Sequence, residues 1–364
     1  MKVILASPSW FSEVRGGAER YVNDVYNYLS NKVDYDVVSG FSVSNDGFPE
    51  KSHLIKYKAG TNYLIKHLMF NNHLRRVAKT IRPDLVHGNT LSCYAYKPTL
   101  LDLHLMNYTK DEPWFLRSWI YRLIAKKILM KAARIKVHTS CFKDQIVKFT
   151  GINPDKIVII KHPIDINYFK SDNKMRLMRR KELGIEDKFV FYYPMRYTPS
   201  KKQDHLIKSL KFLDKEILSK IHVLFSGTVE DSSYHDYLLS LVDGLPISIL
   251  GSDNLLDNYN ACDCVVHPRD TTESGGTIIA EGMCLGKPVL ASDVTSFREV
   301  ACDNALFFEP GNLKDLAVKL NEMYSNKNLR DRLVEKGKQV VNDNYMPGRY
   351  IKEMLDLYAS VAKK

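Results

Sequence analysis

The sequence lacks any apolar run long enough to cross a bilayer, and the short apolar stretch in MKVILASPSW at its start cannot form a signal-peptide core. We therefore expect these residues to form a first β-strand and the protein to remain in the cytoplasm. Its six cysteines are scattered and match neither a disulfide framework nor a zinc-ligand spacing. Cys262 and Cys264 are spaced Cys-x-Cys beside an apolar strand, and buried thiols in a reducing compartment are predicted there in preference to a metal site.

Acidic residues are absent from two long tracts, residues 51–83 and 113–143. The net charge of +11 lies wholly in residues 1–160, which hold 24 Lys/Arg against 13 Asp/Glu, whereas residues 161–364 hold 29 of each. This asymmetry indicates an anionic partner, either a membrane surface or a phosphorylated acceptor, or only a basic solvated surface. Composition leaves these interpretations open.

One segment of the second acid-free tract has the composition of an interfacial helix. WFLRSWIYRLIAKKILMKAARIK, residues 114–136, places seven Lys/Arg among aromatic and aliphatic residues. We predict a helix whose apolar side packs on the first domain and whose basic edge faces phospholipid. Charge reversal at Arg117, Arg122, Lys126 and Lys127 is then expected to weaken binding to anionic liposomes.

Short apolar runs rich in β-branched residues alternate with helical patterns along the whole chain, which predicts parallel α/β units. A chain of 364 residues suits two domains, each with its own doubly wound sheet. We place them at residues 1–165 and 166–346, with a boundary in the polar segment 162–188 and a terminal helix, 347–364, packing back on the first domain. The thirteen predicted strands are residues 3–6, 36–39, 53–57, 85–87, 99–104, 135–139, 157–160, 189–193, 222–226, 247–250, 264–267, 289–292 and 306–308.

Two carboxylates flank a glycine turn in the segment 271–293. Glu273 and Glu281 are eight residues apart, separated by Ser274-Gly275-Gly276 and by a helix predicted to begin near Thr277. Both carboxylates can then point into one cavity, and the helix N-terminus between them offers N–H groups and a positive dipole end that suit a diphosphate. The alternative is that Glu281 only complements the helix dipole and that the glycines only form a tight turn.

Other candidate residues follow predicted strands. Arg196 and Lys201 lie on a loop entering a helix, where two cations could clamp a diphosphate. Gly16-Gly17 lies between the first strand and a helix, but it does not match the Gly-x-Gly-x-x-Gly fingerprint, which argues against an NAD enzyme. His104 ends a predicted strand, and Asp102 projects to the same face of that strand.

The Glu-x7-Glu pattern, with Gly276 three residues after Glu273 and with GKPVLAS after the helix, resembles the retaining GT-B-fold glycosyltransferases of family 4, also called group 1. The resemblance covers nearly the whole chain in the family's order and implies two Rossmann-like domains facing across a cleft. Two departures are His162-Pro163 in place of the usual Asn-Gly and Lys202 in place of the usual Gly. The other matching segments are SEVRGGAER (12–20), PDLVHGN (83–89), LLDLHL (100–105), KIVIIKHPIDINYF (156–169), PMRYTPSKKQDHLIKSL (194–210), FSGT (225–228) and LGSDNLLDNYNACDCVVHPRDTTE (250–273).

The resemblance implies transfer of a hexose from a UDP- or GDP-sugar to a hydroxyl of a glycan or lipid-linked acceptor, with retention, in cell-surface polysaccharide or glycoconjugate synthesis. No cofactor and no metal ion are expected, because two cations and the helix dipole would replace the metal. Lys202 could substitute for Lys201. The resemblance assigns catalysis to His104, Arg196, Lys201 and Glu273; donor binding to Gly16, Gly17, Arg196, Lys201, Glu273, Ser274, Gly275, Gly276, Thr277 and Glu281; and acceptor binding to Asp102 and Gly17.

Three other functions compete with this one. A nucleotide-sugar epimerase of the same fold would need an acid/base set that we do not identify. A nucleic-acid-binding protein would suit the basic first half, but no RNP-like, KH-like or zinc-finger-like motif is found. A catalytically inactive nucleotide- or membrane-binding module is disfavoured by the joint presence of Glu273, Glu281, Arg196 and Lys201. We expect a glycosyltransferase that is peripheral on the inner face of the membrane.

Overall fold

The computed structural model describes residues 1–9, 17–41, 47–58, 60–91, 93–94, 96–103, 119–271 and 276–362. The chain divides into two compact units. The first comprises Met1–His162 and Pro347–Lys364, and the second comprises Pro163–Met346. The division after His162 lies three residues before the expected boundary at 165/166.

The strands of each unit form one parallel sheet, and each of the thirteen predicted strands overlaps one of them. The seven strands of the first unit lie in the order β3-β2-β1-β4-β5-β6-β7, and the six of the second in the order β10-β9-β8-β11-β12-β13. This confirms the predicted pair of doubly wound sheets. The strands are β1 (Lys2–Ser7), β2 (Asp34–Phe41), β3 (Ser52–Lys56), β4 (Leu85–Gly88), β5 (Thr99–Asp102), β6 (Arg134–Val137), β7 (Ile157–Ile159), β8 (Phe189–Pro194), β9 (Ile221–Ser226), β10 (Ile247–Leu250), β11 (Cys264–His267), β12 (Val289–Ser292) and β13 (Leu306–Phe308).

Helices alternate with these strands along the chain. Several begin at a side-chain cap: the Thr139 hydroxyl accepts from the Phe142 N–H, and the Asp172 carboxylate accepts from the Met175 N–H. The described helices are α1 (Gly17–Leu29), α2 (Tyr63–Ile81), α3 (Trp119–Lys131), α4 (Ser140–Thr150), α5 (Asn173–Leu183), α6 (Gln203–Ser209), α7 (Lys215–Lys220), α8 (Ser232–Leu241), α9 (Leu255–Ala261), α10 (Thr277–Cys284), α11 (Thr295–Ala301), α12 (Leu313–Ser325), α13 (Lys327–Asn344) and α14 (Pro347–Ala362).

The first sheet is buried on both faces. Along β1, Ile4 and Ala6 contribute to one core with α2, whereas Val3 and Leu5 contribute to another core with α1. Successive side chains of a strand point to opposite faces, so a strand covered on both sides reads as a continuous apolar run. These continuous apolar runs are the pattern from which the strands were predicted.

Helix α14 belongs to the first unit although it follows the second unit in the chain. Its buried residues recur at helical spacing and join the core that also contains β1 and α1. Tyr358 adds polar contacts, because its hydroxyl lies 2.8 Å from the hydroxyl of Tyr35 and 2.7 Å from Nδ1 of His87. The buried residues of α14 are Tyr350, Met354, Leu357, Tyr358 and Val361.

The predicted helix 114–136 overlaps the predicted strand 135–139, and the structure confirms the strand and shortens the helix. Helix α3 stops at Lys131, and residues 134–137 form β6, which pairs with β5. The Ala133 N–H donates to the Thr99 carbonyl, so the sheet captures the backbone that the amphipathic pattern assigned to a helix. Residues 114–118 lie outside the described part of the chain.

The segment 162–188, which we predicted to contain the domain boundary because it is polar, contributes several residues to the core of the second unit. Ile164, Phe169 and Ile185 are buried in the core of the second unit. Helix α5 is fastened to the sheet by Arg176, which donates to the Asp263 carboxylate at 2.6 Å just before β11. The polar residues here therefore anchor a helix.

All six cysteines are free thiols, and the predicted burial of Cys262 and Cys264 is confirmed. Cys93, Cys262 and Cys264 are buried, and burial raises the pKa of Cys262 to about 11. Cys302 is exposed, and Cys141 and Cys284 are partly exposed.

Candidate functional site

The second sheet has its topological switch point between β8 and β11. These strands are adjacent, and the chain leaves them toward opposite edges of the sheet. Ligands of such sheets bind outside the carboxyl ends of the strands at this point. The residues that follow β8 and β11 are therefore the candidates for ligand contact in this unit.

Arg196 and Lys201 follow β8 on a loop that is held by hydrogen bonds. The Tyr193 hydroxyl donates to the Lys201 carbonyl at 2.8 Å, and the Gln203 amide donates to the Arg196 carbonyl at 2.9 Å. The Arg196 guanidinium is partly exposed and forms an ion pair with Glu230. The loop thus places both predicted cations beyond the end of β8.

Lys201 is buried in a positive environment. Only 8% of the surface of Lys201 is exposed to solvent. Burial, and after it the charges of Arg269 and Arg196, lower the pKa of Lys201 well below its usual value, while Glu230 opposes the change. A buried ammonium group beside other cations is costly unless an anion compensates it. This environment suits an anionic ligand.

Lys202, the expected alternative to Lys201, has a different role in the backbone. It adopts a left-handed conformation with φ of 59°, which a glycine reaches without steric cost. Its Nζ lies 3.5 Å from the Asp270 carboxylate. The resemblance implies a glycine at this position, and a glycine would adopt this backbone conformation easily. Lys202 adopts the same conformation and also pairs with Asp270.

Helix α10 begins at the predicted glycine turn. Gly276 has φ of 62° and precedes Thr277, the first helical residue. Its ideal Cβ would lie 3.5 Å from the ring of Phe297, so conformation more than space requires glycine here. Farther along, Gly282 packs against Val265 of β11, where an added Cβ would lie 2.9 Å from the side chain. The close contact fixes the helix against the sheet.

Glu281 lies in the second turn of α10 and is 5% exposed. Its carboxylate accepts a hydrogen bond from the buried Tyr259 hydroxyl at 2.7 Å. Burial raises the pKa of Tyr259, and the nearby Glu281 charge raises it further, so this phenol remains a donor. The bond orients the carboxylate to which the resemblance assigns donor binding.

Two residues at the carboxyl end of β11, His267 and Arg269, were not among the predicted site residues. His267 is fully buried between the rings of Tyr193 and Phe297, and neither ring nitrogen has a hydrogen-bond partner among the described residues. Arg269 is 5% exposed, and its Nε donates to the Thr271 hydroxyl at 2.8 Å. Their position at the end of a central strand was the available signal. The segment 250–273, which resembles the family, contains both residues, but the resemblance assigned no role to either.

In the first unit Asp102 lies at the end of β5 and has no exposed surface. Lys136, equally buried, donates to its Oδ2 at 2.7 Å, and Nε2 of His87 lies 3.7 Å from the same oxygen. Burial lowers the pKa of His87, which keeps the imidazole neutral. Asp102 is thus part of an interior polar network and offers no surface to an acceptor.

Several predicted site residues lie outside the described part of the chain, and Gly17 is described only as the first residue of α1. No group of three or more His, Cys, Asp or Glu side chains that could hold a metal ion occurs among the described residues. The single Asp-x-Asp tripeptide, Asp34–Asp36, belongs to β2, where Asp34 bonds to Lys51 and Asp36 to His53. The undescribed site residues are Gly16, His104, Glu273, Ser274 and Gly275.

None of the helices of the described ranges is both long enough and apolar enough to span a membrane.

The fold of the chain, with one parallel sheet in each unit, is that of the GT-B glycosyltransferases. The crystal structure of Anabaena Alr3699/HepE in complex with UDP-glucose matches this chain with a TM-score of 0.83 at 18% identity, covering 99% of this chain and 100% of that one. This likeness defines the fold and confirms the predicted fold class.

Family membership rests on sequence models. The family model described as "Glycosyl transferases group 1" matches residues 175–340, and the model described as "Glycosyltransferase Family 4" matches residues 15–168. Together they cover well over half of the chain, which belongs to the family 4 glycosyltransferases of GT-B fold. The predicted family is confirmed, and the chain is a glycosyltransferase.

Two curated relatives resemble the chain over much of its length. The glycosyltransferase YtcC of Bacillus subtilis (strain 168) is 22% identical over 308 residues, 77% of this chain and 71% of that protein. The capsular polysaccharide biosynthesis glycosyltransferase CapM of Staphylococcus aureus is 23% identical over 256 residues, 68% of this chain and 67% of that protein.

Proposed function

We propose that this glycosyltransferase moves a hexose from a UDP- or GDP-sugar to a hydroxyl group of a glycan or lipid-linked acceptor, with retention and without a metal ion. The observation that carries the proposal is the position of Arg196, Lys201 and the N-terminus of α10 beyond the carboxyl edge of the second sheet. Cationic side chains and the backbone amides of a first helical turn can bind a diphosphate directly, so no carboxylates are needed to hold a metal ion between protein and phosphate. The UDP-glucose complex of HepE supports UDP-glucose as the first donor to test.

The residues of this site would act mainly on the leaving group. As the bond between the sugar and the diphosphate breaks, negative charge develops on the departing oxygen. Lys201 is buried, so its charge interacts with that oxygen through less screening than in water. Arg196 would exchange Glu230 for the diphosphate. The N-terminus of α10 would add to this neutralisation of the diphosphate, so that no metal ion is needed.

We infer a front-face displacement. The anomeric carbon loses the diphosphate oxygen and gains the acceptor oxygen on the same face, while the acceptor proton passes to the departing diphosphate. The protein contributes positioning. His104 and Glu273 would contact the donor sugar, and Glu281, oriented by Tyr259, would accept hydrogen bonds from its hydroxyls or from ribose. Asp102, being buried, would support the end of β5 instead of touching the acceptor.

The acceptor side of the proposal draws on α3. Leu123, Ile124 and Met130 are each about half exposed, and Lys127 and Lys131 lie on the same outward surface of the helix. Exposed apolar side chains interspersed with exposed lysines are typical of a helix that lies on an anionic membrane. We infer that the enzyme binds peripherally to the inner face of the membrane.

A cavity of about 220 Å³ beside α3 adds to this inference. Tyr94, Leu101, Ile124 and Ile128 give it apolar walls, and lysines lie around it. The lysines are Lys97, Lys127 and Lys131. A lipid-linked acceptor, which combines apolar and phosphate groups, would suit such a surface, and the name of CapM supports a role in polysaccharide synthesis.

A thermal-shift screen tests the proposal. UDP, GDP, ADP, dTDP and their common sugar conjugates are added without metal and then with magnesium. A ligand at 100 times its dissociation constant should stabilise the protein by about 2.7 kcal/mol. We expect one nucleotide family to raise the melting temperature without metal, and Arg196→Ala and Glu281→Ala to remove the shift. Arg349→Ala, which removes another surface Arg–Glu pair, is the matched control.

Two results would contradict the proposal. A shift that requires magnesium would refute metal independence. No shift with any nucleotide would refute nucleotide-sugar binding. Stereochemistry is settled separately, by the anomeric coupling constant of the product in proton NMR, where an inverted product would exclude the front-face mechanism.

A further inference from the structure

Helix α2 carries large apolar side chains on its outward face. Ile65, Leu68 and Met69 are 52%, 66% and 37% exposed. Residues three and four apart on a helix are neighbours, so these three side chains form one cluster. The opposite face of α2 is the one that packs on the sheet, where Phe70 and Leu74 are fully buried. The apolar cluster is therefore additional to the face that α2 needs for folding.

The charge of α2 is entirely positive. The helix contains no Asp or Glu and lies within the acid-free tract 51–83. Arg75, Arg76 and Lys79 are exposed and continue the outward face of the apolar cluster at helical spacing. The outward face is thus apolar in its first half and basic in its second. Single exposed apolar residues are ordinary, but adjacent ones on a basic face are typical of an interaction surface.

Helices α2 and α3 cover the same face of the first sheet. Leu74 of α2 and Leu129 of α3 belong to one buried core. Tyr94 links the two helices, because its N–H donates to Oδ1 of Asn71 at 3.2 Å and the residue lines the cavity beside α3. Apart from Met1 and Ile159, the exposed large apolar side chains in the described part of this unit all lie here: Ile65, Leu68, Met69, Tyr94, Leu123, Ile124 and Met130.

The apolar ends of α2 and α3 lie toward the carboxyl edge of the sheet. Each helix ends shortly before a parallel strand begins, α2 before β4 and α3 before β6, so each begins near the carboxyl ends of the strands. The apolar cluster of α2 lies in its first two turns, as do Leu123 and Ile124 of α3. Ligands of such sheets bind outside this edge. Contact through these ends would bring a lipid surface to the edge where an acceptor binds.

We propose that the first half of α2 inserts into an anionic lipid bilayer through Ile65, Leu68 and Met69, and that α2 and α3 form one membrane-docking surface. This inference rests on the proposed peripheral association and adds a second helix to it. A bilayer accepts apolar side chains without specific partners, and its phosphates match a face of one charge sign. The exposed cations in the second half of α2 would contact those phosphates.

A charge-neutral double variant tests the role of α2 in the full chain. Leu68→Ser with Met69→Ser should lower the partition constant for vesicles of phosphatidylglycerol and phosphatidylcholine by about 10- to 100-fold, because two side chains no longer insert. Leu177→Ser with Met178→Ser is the matched control: the same residue pair lies on α5 of the second unit, 60% and 64% exposed. It should bind as the wild type does. Wild-type binding by the α2 variant, or an equal loss in both double variants, would overturn the proposal.

Two further measurements separate insertion from other contacts. Brominated lipids should quench the fluorescence of Leu68→Trp more than that of Leu177→Trp, and equal quenching would overturn the proposal. Sedimentation velocity without lipid tests a second copy of the chain as the occupant. A wild-type dimer that becomes a monomer in the Leu68 and Met69 double variant would assign this surface to self-association and overturn the lipid assignment.

Failure of the proposed peripheral association has a separate signature. If the wild type does not bind anionic vesicles, both the association and the role of α2 fall. If the wild type binds and only substitutions on α3 weaken binding, the role of α2 alone is refuted. The Leu68 and Met69 double variant should keep the nucleotide-dependent thermal shift of the wild type, which would show that its loss of vesicle binding is not a loss of fold.

Discussion

Lys136 donates a 2.7 Å hydrogen bond to Asp102 in the interior of the first unit, where neither side chain has exposed surface. The two residues are register partners on β5 and β6. Burial lowers the pKa of Lys136, and the adjacent carboxylate opposes the change. A buried pair of this kind adds little net stability as a whole, but loss of one partner leaves an uncompensated charge.

Replacement of Lys136 by Met should therefore destabilise the first unit strongly. The Met side chain fills most of the volume but leaves the Asp102 carboxylate buried without its cation, at a cost of about 3–5 kcal/mol. Urea unfolding measures this as a lower free energy of unfolding. Lys51→Met removes an exposed partner of Asp34, an ion pair that solvent screens, and should lower the unfolding midpoint far less. An unfolding midpoint for Lys136→Met equal to that of Lys51→Met would contradict this account.

The double variant Lys136→Met with Asp102→Leu separates pairing from packing. It removes both charges, so we expect it to be more stable than Lys136→Met alone. If the double variant is the less stable of the two, the cost arises from lost volume and not from the orphaned carboxylate.

This pair also marks what the sequence does not reveal. Asp102 follows an apolar strand and resembles a ligand-facing residue by position alone. Its partner is 34 residues away, and only the register of β5 against β6 brings the two together. The strands themselves were predictable, because parallel strands covered on both faces read as apolar runs. Contacts between strands depend on register, which a single sequence does not specify.

The same distinction applies to the second unit. Arg196, Lys201, Gly276 and Glu281 were predicted as site residues because the spacing of a family pattern marks them. Arg269 stands in a segment that matches the family only broadly, and its proximity to Lys201 depends on the adjacency of β8 and β11. The sequence predicted both a helix to residue 136 and a strand from residue 135, and pairing of residues 134–137 with β5 decides between them in favour of the strand.

Lys201 makes the binding of a nucleoside diphosphate depend on pH. In the protein alone, burial, Arg269 and Arg196 lower its pKa, Glu230 raises it, and His267 stays neutral. A bound diphosphate favours the charged ammonium and raises the pKa again. Above the lowered pKa, binding therefore takes up a proton, and affinity falls as pH rises.

Calorimetry of UDP binding in buffers of different ionisation enthalpy measures this uptake. Measurements above about pH 7.5 avoid protonation of the terminal phosphate, whose pKa is about 6. Lys201→Gln should bind more weakly and without proton uptake. Uptake that persists in Lys201→Gln would assign the proton to another group.

Lys202 should be replaceable by glycine but not by valine. Its φ of 59° costs a non-glycine residue about 1–2 kcal/mol, and the cost is greatest for β-branched side chains. We expect Lys202→Gly to keep both stability and UDP affinity, and Lys202→Val to lower the melting temperature. If Lys202→Gly loses UDP affinity as Lys201→Gln does, then Lys202 is the cation that binds the diphosphate.

Membrane binding through α3 should depend on both charge and apolar contact. Lys127→Glu with Lys131→Glu reverses two charges on the outward face, whereas Leu123→Ser with Met130→Ser removes exposed apolar surface and leaves the charge unchanged. Each pair should reduce co-sedimentation with vesicles containing phosphatidylglycerol, because an interfacial helix gains from headgroup attraction and from insertion together.

The matched control for the charge reversal is Lys211→Glu with Lys215→Glu, two exposed lysines of the second unit. It changes net charge equally, so a general electrostatic attraction would make the two charge variants behave alike. If α3 has a specific role, then of the two charge variants only the Lys127 and Lys131 variant loses binding. Raised salt should weaken wild-type binding without abolishing it, because screening leaves the apolar contribution of Leu123 and Met130 intact. Sedimentation of the Leu123 and Met130 variant at the wild-type level would reduce α3 to a solvated basic helix, which is the other interpretation of its composition.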